Sequence, residues 1–458
     1  MRKKDVKKAM AMALTAGMVL GLTACGGSGS SESEKSDRDG AAKQEETLGE
    51  VGGEAGELVA EEGAEIEIAY WEGSTAEEAA WDAVLTALQK DHPEIKLTLQ
   101  TYPSTEFRDM LDTRIAGNDW PDVVRYSYQR LGKFKAADVM MDLSPYITQE
   151  SLDDISPAFL SAGTYEGQLV AMPHHVDTIA VFYNKRMFEE AGIRIPSSIE
   201  DAWSWEELTD IARTLKEKYN LPYACAGIWE TGSSYRYLPF VYMNNGAVLN
   251  EDQTEITMNT PEVLEAIKLY EDWRKEDLIA NTAFSGAATA NSLFVAEQIA
   301  FDFCGSWHCS YMEENMAGNW GVTYMPIRNG KTGSDMGGNA LFAYKGTKYP
   351  KAAAIVVDYI TNAENMQKFC ETGNFIPVRT SLLEGELTYT QFADEMEVFS
   401  EIVANIDPKL AADETSVPFQ QINEIFTEEM DPLVVNGSAT AEQVVEQCQE
   451  RMTEILNE

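Results

Sequence analysis

Basic residues are scarce. The 458-residue chain holds 35 lysines and arginines against 76 aspartates and glutamates, a formal charge of −41. A nucleic-acid partner needs a basic footprint, so that class is excluded, and docking on anionic lipid through a basic patch is disfavoured for the same reason. Histidine is scarcer still, at positions 92, 174, 175 and 308 only. His174 and His175 are neighbours in an extended stretch, where successive side chains face opposite ways, so they are not expected to share a metal. The Cys304-x3-His308-Cys309 cluster lacks the paired spacing of a zinc site, and buried thiols at a helix start are the expected alternative. No metal and no cofactor is expected. The cysteines, at 25, 225, 304, 309, 370 and 448, are too few for a disulfide scaffold. With Cys25 set aside, an odd remainder means at least one free thiol unless pairing is intermolecular. GxSxG, HExxH, P-loop and GxGxxG motifs are all missing. Among so many carboxylates some pair always mimics a glycosidase dyad, which carries no information without geometry. No catalytic residue is assigned, and the chain is not expected to be an enzyme.

The N-terminus is rich where the rest is poor. Arg2, Lys3, Lys4, Lys7 and Lys8 precede an apolar stretch from Ala9 to about Leu22. That stretch is too short for a comfortable membrane span and ends in small residues, the form of an export signal. It closes on Leu22-Thr23-Ala24-Cys25-Gly26, the bacterial lipobox pattern, in which the cysteine thiol receives diacylglycerol and becomes the mature N-terminus. The alternative is an ordinary secretory signal with a chance cysteine. Two acyl chains on Cys25 suffice for stable anchoring. Residues 26–64 are mostly Gly, Ser, Glu and Ala and bury too little to offset chain entropy, so a disordered acidic tether is expected over 25–64. Removing residues 1–24 takes the charge from −41 to −45.

Hydrophobic residues make up 44% of the chain and aromatics 10%, so most of it is expected to fold, in two or three domains at roughly 150 residues each. Glu65–Trp71 alternates apolar and polar, a strand signature. Ser74-x-x-Glu77 reads as a capping box before a helix carrying Trp81, Val84, Leu85 and Leu88. Ile95, Leu97 and Leu99 alternate again. Phe107, Leu111 and Ile115 mark a second helix, and Asp122–Tyr126 a short strand, with Asp122 structural. Strand, helix, strand, helix, strand with short connections predicts a doubly wound α/β pattern with a parallel sheet. Ligands of such sheets sit beyond the carboxyl ends of the strands, here Trp71-Glu72 and Tyr126-Ser127-Tyr128. A second α/β region begins near Thr178, with a buried strand at Ile179–Tyr183. Helices open at Ser204-x-x-Glu207, Thr260-Pro261 and Pro350, and residues 419–457 read as largely helical. Aromatic rings cluster near loop ends: Trp71, Tyr126, Tyr128, Trp229, Tyr235, Tyr237 and Trp307. Flat rings stack on the apolar faces of pyranose sugars, while carboxylates and amides bond hydroxyls. Core packing is the alternative for any one of them.

These pieces fall in a familiar order. Ile68–Trp71 with its helix comes first, then His92–Leu97, Ile115–Val123, Leu169–Pro173, Val181–Lys185 and Phe188–Gly192. Trp203–Leu208, Phe301–Trp307, Trp320–Pro326, Gly337–Asn339 and Thr347–Ala353 follow. The series, behind a lipobox, resembles the extracellular solute-binding proteins, family 1, of ATP-binding-cassette sugar importers, over roughly residues 64–457. The resemblance implies a type II periplasmic-binding-protein-like fold: two α/β lobes, each a mostly parallel sheet flanked by helices, joined by hinge crossovers and closing over a ligand. The first lobe would hold 65–176 plus about 337–390, and the second 177–336 plus about 391–458. Crossovers would fall at Pro173–Thr178, at Met336–Asn339 and near 380–400.

The resemblance also implies ligand positions. Tyr126, with Gln129 and Arg130, follows the Pro-Asp-Val strand. Asp177 is the acid of the first crossover, and His175 departs from the family there. Trp71 and Glu72 end the first strand. Trp307 is the ring of the Gly-x-Trp motif, Tyr235 precedes Pro239, and Trp229 and Gly338 complete the set. Trp307 and Tyr126 would face each other across the cleft. Arg130 is equally well a surface residue. The implied partners are a carbohydrate, permease subunits of an importer and, through the lipid alone, the outer face of the cell membrane; a monomer is expected. A surface sensor of the same fold and a polysaccharide-degrading enzyme are the alternatives.

Overall fold

The computed structural model describes residues 58–227, 234–281, 288–385 and 387–457. Strand β1 (Glu65–Glu72), helix α1 (Thr75–Asp91), strand β2 (Lys96–Pro103), helix α2 (Ser104–Ala116) and strand β3 (Val123–Ser127) alternate as the hydrophobic spacing predicts. Helix α1 buries Trp81, Val84, Leu85 and Leu88 on one face. Its N-terminus is capped by the Ser74 hydroxyl, which accepts from the Glu77 backbone N–H at 3.2 Å. The reciprocal half of the expected capping box does not form. The Glu77 carboxylate turns inward to the Arg125 guanidinium, Oε1 to Nη2 at 2.5 Å. A buried guanidinium needs an anion more than an exposed cap needs a second bond. At Ser204 and Glu207, with no such competitor, both halves of the box are present.

The chain enters strand β4 (Met172–His175) and crosses at 176–178. It then builds strand β5 (Ile179–Asn184), helix α3 (Trp205–Tyr219), strand β6 (Cys225–Gly227), helix α4 (Pro261–Lys275) and strands β7 (Phe301–Gly305) and β8 (Trp320–Thr323). It returns through 324–338 to strand β9 (Asn339–Ala343) and helices α5 (Pro350–Thr361) and α6 (Ala363–Gly373). Helices α7 (Ala393–Val403), α8 (Pro408–Glu414), α9 (Phe419–Asp431) and α10 (Ala441–Leu456) complete it.

Among the described residues two large sheets result, ordered β2-β1-β3-β9-β4 and β8-β5-β7-β6, beside a two-stranded hairpin of Thr164–Tyr165 with Gln168–Leu169. In the first, β1 is parallel to β2 and β3, while β9 runs against β3 and β4. In the second, β6 is parallel to β7, while β5 runs against β7 and β8. Each sheet therefore has one reversed strand, and in each case it is the strand that arrives from the other lobe. Helices α5 and α6 pack on the first sheet and on α1, α7 packs on β8 and β5, and α10 packs on α4 and α9. This is the two-lobed type II architecture, with a third passage of the chain between α6 and α7.

The folded part begins earlier than composition implies. Ala64 is buried, and its carbonyl accepts from Lys96 N at 2.9 Å. The Glu61 carboxylate accepts from Lys351 N at 2.9 Å and Ala352 N at 3.0 Å. Helix α5 starts behind Tyr349, whose side chain makes no cap, so Glu61 satisfies amides that would otherwise lack partners. The expectation of a tether running through residue 64 is corrected accordingly. Cys225, Cys304, Cys309, Cys370 and Cys448 are all free and buried; Cys25 lies outside the described residues. Among the described residues, no helix is long and apolar enough to cross a membrane.

Candidate functional site

The carboxyl ends of β1 and β3 and both crossover segments meet where the lobes face each other. On the first-lobe side stands Trp71, half-buried at the end of β1, with the Arg125 guanidinium 4.3 Å above its ring centroid. Phe107 meets the same ring edge-on at 5.5 Å. Arg125 points to the α1 face of the sheet. It pairs with Glu77, and its Nη2 lies 3.5 Å from His175 Nε2. Asn339 Nδ2 approaches the same ring nitrogen at 3.1 Å. Two donors on Nε2 make His175 a neutral acceptor there. Burial, reinforced by the Arg125 charge, holds its pKa well below the ordinary histidine value.

His174 is shifted down for the same reasons. The two imidazoles do not diverge as strand alternation predicts: their Nδ1 atoms are 3.3 Å apart. β4 ends at this point, and both rings fold under Phe369, 4.3 and 5.5 Å away by centroid. Among the described residues no group of three or more His, Cys, Asp and Glu side chains is placed to hold a metal.

On the second-lobe side, Arg236 lies in the short turn Ser234–Tyr237. Its guanidinium covers the half-buried Trp307 ring at 4.4 Å and the buried Tyr235 ring at 5.0 Å. Trp307 folds back over Gly305, where a Cβ would stand 1.8 Å from the indole. Arg236 Nη1 binds Asp335 Oδ2 at 2.8 Å, and Nη2 lies 3.6 Å from Asp177 Oδ1. Burial opposes the Arg236 charge, but Tyr235, Asp335 and Asp177 around it hold its pKa above the ordinary value. Asp177 responds the other way. Burial pushes it up to about 6, and the Arg236 charge, whose Nη1 is given to Asp335, offsets this only in part. Glu414 Oε2 accepts from Met336 N at 3.0 Å and from Gln129 Nε2 at 3.3 Å. Burial, with Asp335 adding to it, raises Glu414 well above the carboxylate range.

The crossovers touch closely. A Cβ on Gly337 would sit 2.0 Å from Asp177 Oδ1, and one on Gly338, whose φ is +100°, would sit 2.3 Å from the His175 carbonyl oxygen. Only glycine fits at either place.

Trp71, Gln129, His175, Asp177, Tyr235, Trp307 and Gly338 thus come together. Glu72 is exposed at the rim, and Arg130 is half-buried beyond Gln129. Trp229 lies outside the described residues. Tyr126 is placed differently from the expectation that it faces Trp307. It is 1% exposed, packed against Phe107 and Phe134 at 5.9 and 5.3 Å. Strand alternation turns Tyr126 to the α2 face of the sheet and Arg125 to the α1 face, and both side chains are buried.

A family model described as the bacterial extracellular solute-binding proteins matches residues 72–367. The chain belongs to this family. Among curated relatives of this solute-binding protein, the maltotriose-binding protein of Pyrococcus abyssi (strain GE5 / Orsay) is 24% identical over 301 residues, 64% of this chain and 61% of that one. The ABC substrate-binding protein of Listeria monocytogenes, solved in complex with cycloalternan, superposes with a TM-score of 0.75 at 20% identity, covering 86% of this chain and 99% of that one. The GacH receptor of Streptomyces glaucescens, solved unliganded and with acarbose, gives 0.73 at 21% identity, covering 87% and 100%. These likenesses confirm the fold. The family consists of solute-binding proteins rather than enzymes and works outside the membrane.

Arg125, Glu77, Arg236, Asp335 and Glu414 escaped the sequence reading. Arg125 lies among Val123, Val124 and Tyr126, and Arg236 between Tyr235 and Tyr237, whereas Glu77, Asp335 and Glu414 lie in polar stretches. A charge inside an apolar run is the signal that could have found the two arginines; the three carboxylates carry no such signal.

Proposed function

We propose that this protein captures a carbohydrate, an oligosaccharide of a few units, by closing its two lobes, and delivers it to the permease of an ATP-binding-cassette importer. The observation that carries this reading is a continuous line of contacts from one indole to another. It runs from Trp71 through Arg125, His175, Asp177 and Arg236 to Trp307, and passes through the hinge. A ligand stacked on both rings touches both lobes and the crossover together. Its affinity for the shut form then drives the population towards closure. Relatives named or solved with maltotriose, cycloalternan and acarbose support a glucose-type oligosaccharide.

The mature protein works as a monomer, held at the outer face of the membrane by diacylglycerol on Cys25; the lipobox sequence supports this. The test is a thermal-shift screen of the mature chain against maltose, maltotriose and longer or cyclic glucans. A ligand at one hundred times its Kd stabilises by about 2.7 kcal/mol. No shift with any sugar, and a shift with an amino acid or peptide, would overturn the carbohydrate reading.

A further inference from the structure

We propose that Arg236 is the positioning residue that transmits ligand contact at Trp307 to the hinge, its free arm closing on Asp177 as the lobes shut. This rests on the cleft being the ligand site. Arg236 touches three things that must move together: the second-lobe indole at 4.4 Å, Asp335 on the returning crossover at 2.8 Å, and Asp177 on the outgoing crossover at 3.6 Å.

The Asp335 contact is a fixed point. Its Oδ1 also accepts from Ile179 N at 3.3 Å and its carbonyl from Thr178 Oγ1 at 3.1 Å, which ties the two crossovers to the start of β5. The Asp177 contact is unfinished. At 3.6 Å it lies beyond hydrogen-bond reach, and among the described residues Asp177 Oδ1 is buried without a hydrogen-bond partner. The missing Cβ of Gly337 leaves the slot in which that oxygen sits. A shift of well under 1 Å completes a charge-assisted bond, normally about 2.7–2.9 Å long, and satisfies the orphaned acceptor. Asp177 also feels Arg125 from the first lobe. It therefore stands between a cation of each lobe, and lobe rotation decides how it is shared. A sugar seated on Trp307 presses against the ring that the guanidinium covers, so ligand contact and the Arg236–Asp177 distance are mechanically joined.

The experiment is a double-mutant cycle on the mature protein with Arg236→Gln, Asp177→Asn and the pair, with Arg236→Lys as a second variant that keeps the charge but cannot both stack and bridge. Maltotriose is the probe. Affinity is read by calorimetry, compaction by the ligand-induced fall in radius of gyration in X-ray scattering, and folding by melting curves. Each single variant should weaken binding by about tenfold and compact less at saturation than wild type. The pair should be no worse than either single variant, since contacting residues couple. Equal compaction at saturation in Arg236→Gln, or additive losses in the pair, would overturn the proposal. If wild type neither binds nor compacts with maltotriose, the carbohydrate reading has failed for that sugar. The cycle is then read on the stability of the ligand-free protein, where strict additivity overturns the latch on its own.

Discussion

Asp177→Asn should make the protein more stable at neutral pH. Asp177 is buried between Arg236, Asp335, Arg125 and Glu77, and its pKa stands at about 6 against an ordinary 3.8. Beside it His175 Nε2 lies 4.0 Å from Oδ2 but is held neutral, so it supplies no countercharge. Between those two pH values the native state holds a proton that the unfolded chain has released. Stability then falls as pH rises. The group's contribution is present in full below about pH 4 and is lost once pH exceeds about 6. With each pH unit between the two values worth 1.36 kcal/mol, the ionised side chain costs about 3 kcal/mol at pH 7.5. Asparagine keeps the shape and removes the charge. Wild type and variant should therefore melt together near pH 4 and separate between pH 4 and 6. By the per-residue unfolding entropy of about 2.1 cal/mol/K over roughly 400 residues, the gap should reach about 4 °C. The assay is a melting series in ligand-free buffer from pH 4 to pH 8. A gap that does not change with pH, or a variant that melts below wild type at pH 7.5, would refute the argument by showing that the Arg236 attraction outweighs burial.

Three further outcomes are expected. Trp307→Ala removes one stacking ring, worth about 1.5–3 kcal/mol, and should weaken sugar binding by roughly ten- to a hundred-fold in calorimetry while leaving the melting temperature close to wild type; a collapse of the fold would mark the indole as core. Glu77→Gln strands the buried Arg125 guanidinium and should cost about 3–5 kcal/mol in urea unfolding, because an uncompensated buried charge remains; a loss below 1 kcal/mol would mean that Trp71 and the surrounding dipoles suffice. Cys25→Ala should move the protein from the membrane fraction to the medium and abolish the lipid mass, whereas membrane retention at unchanged mass would remove the lipobox reading.

The parts legible in the sequence are those written in local spacing. Ser204 with Glu207, Thr260 ahead of Pro261, and the alternation of Ile66 and Ile68 each lie within one turn or one pleat of their partners, and all three appear in the fold. Asp122 is structural as read: its carboxylate accepts from Glu67 N at 2.9 Å and from Thr347 Oγ1 at 2.6 Å. Trp71, Asp177, Trp307 and Gly338 were reachable because the resemblance carries motif positions. The charged centre was not. Glu77, Arg125, Arg236, Asp335 and Glu414 come from five separate segments, and nothing in the local periodicity of one announces the next. Tyr126 shows the limit most clearly. Neighbours along a strand point to opposite faces of the sheet, and Arg125 and Tyr126 are both buried there, so the motif located the strand and not how its side chains are packed.

Glu61 settles where a pull on this molecule would go. Its cap on α5 and the start of β1 lie at the pole where β9 finishes, Ala343 opposite Val123, while the crossovers lie at the other pole, where Asn339 stands opposite Ser127. Traction on the N-terminal end enters the first lobe there and spreads along β1 and α5. Under the anchoring proposed at Cys25, the first lobe would be the fixed jaw and the second the one free to swing.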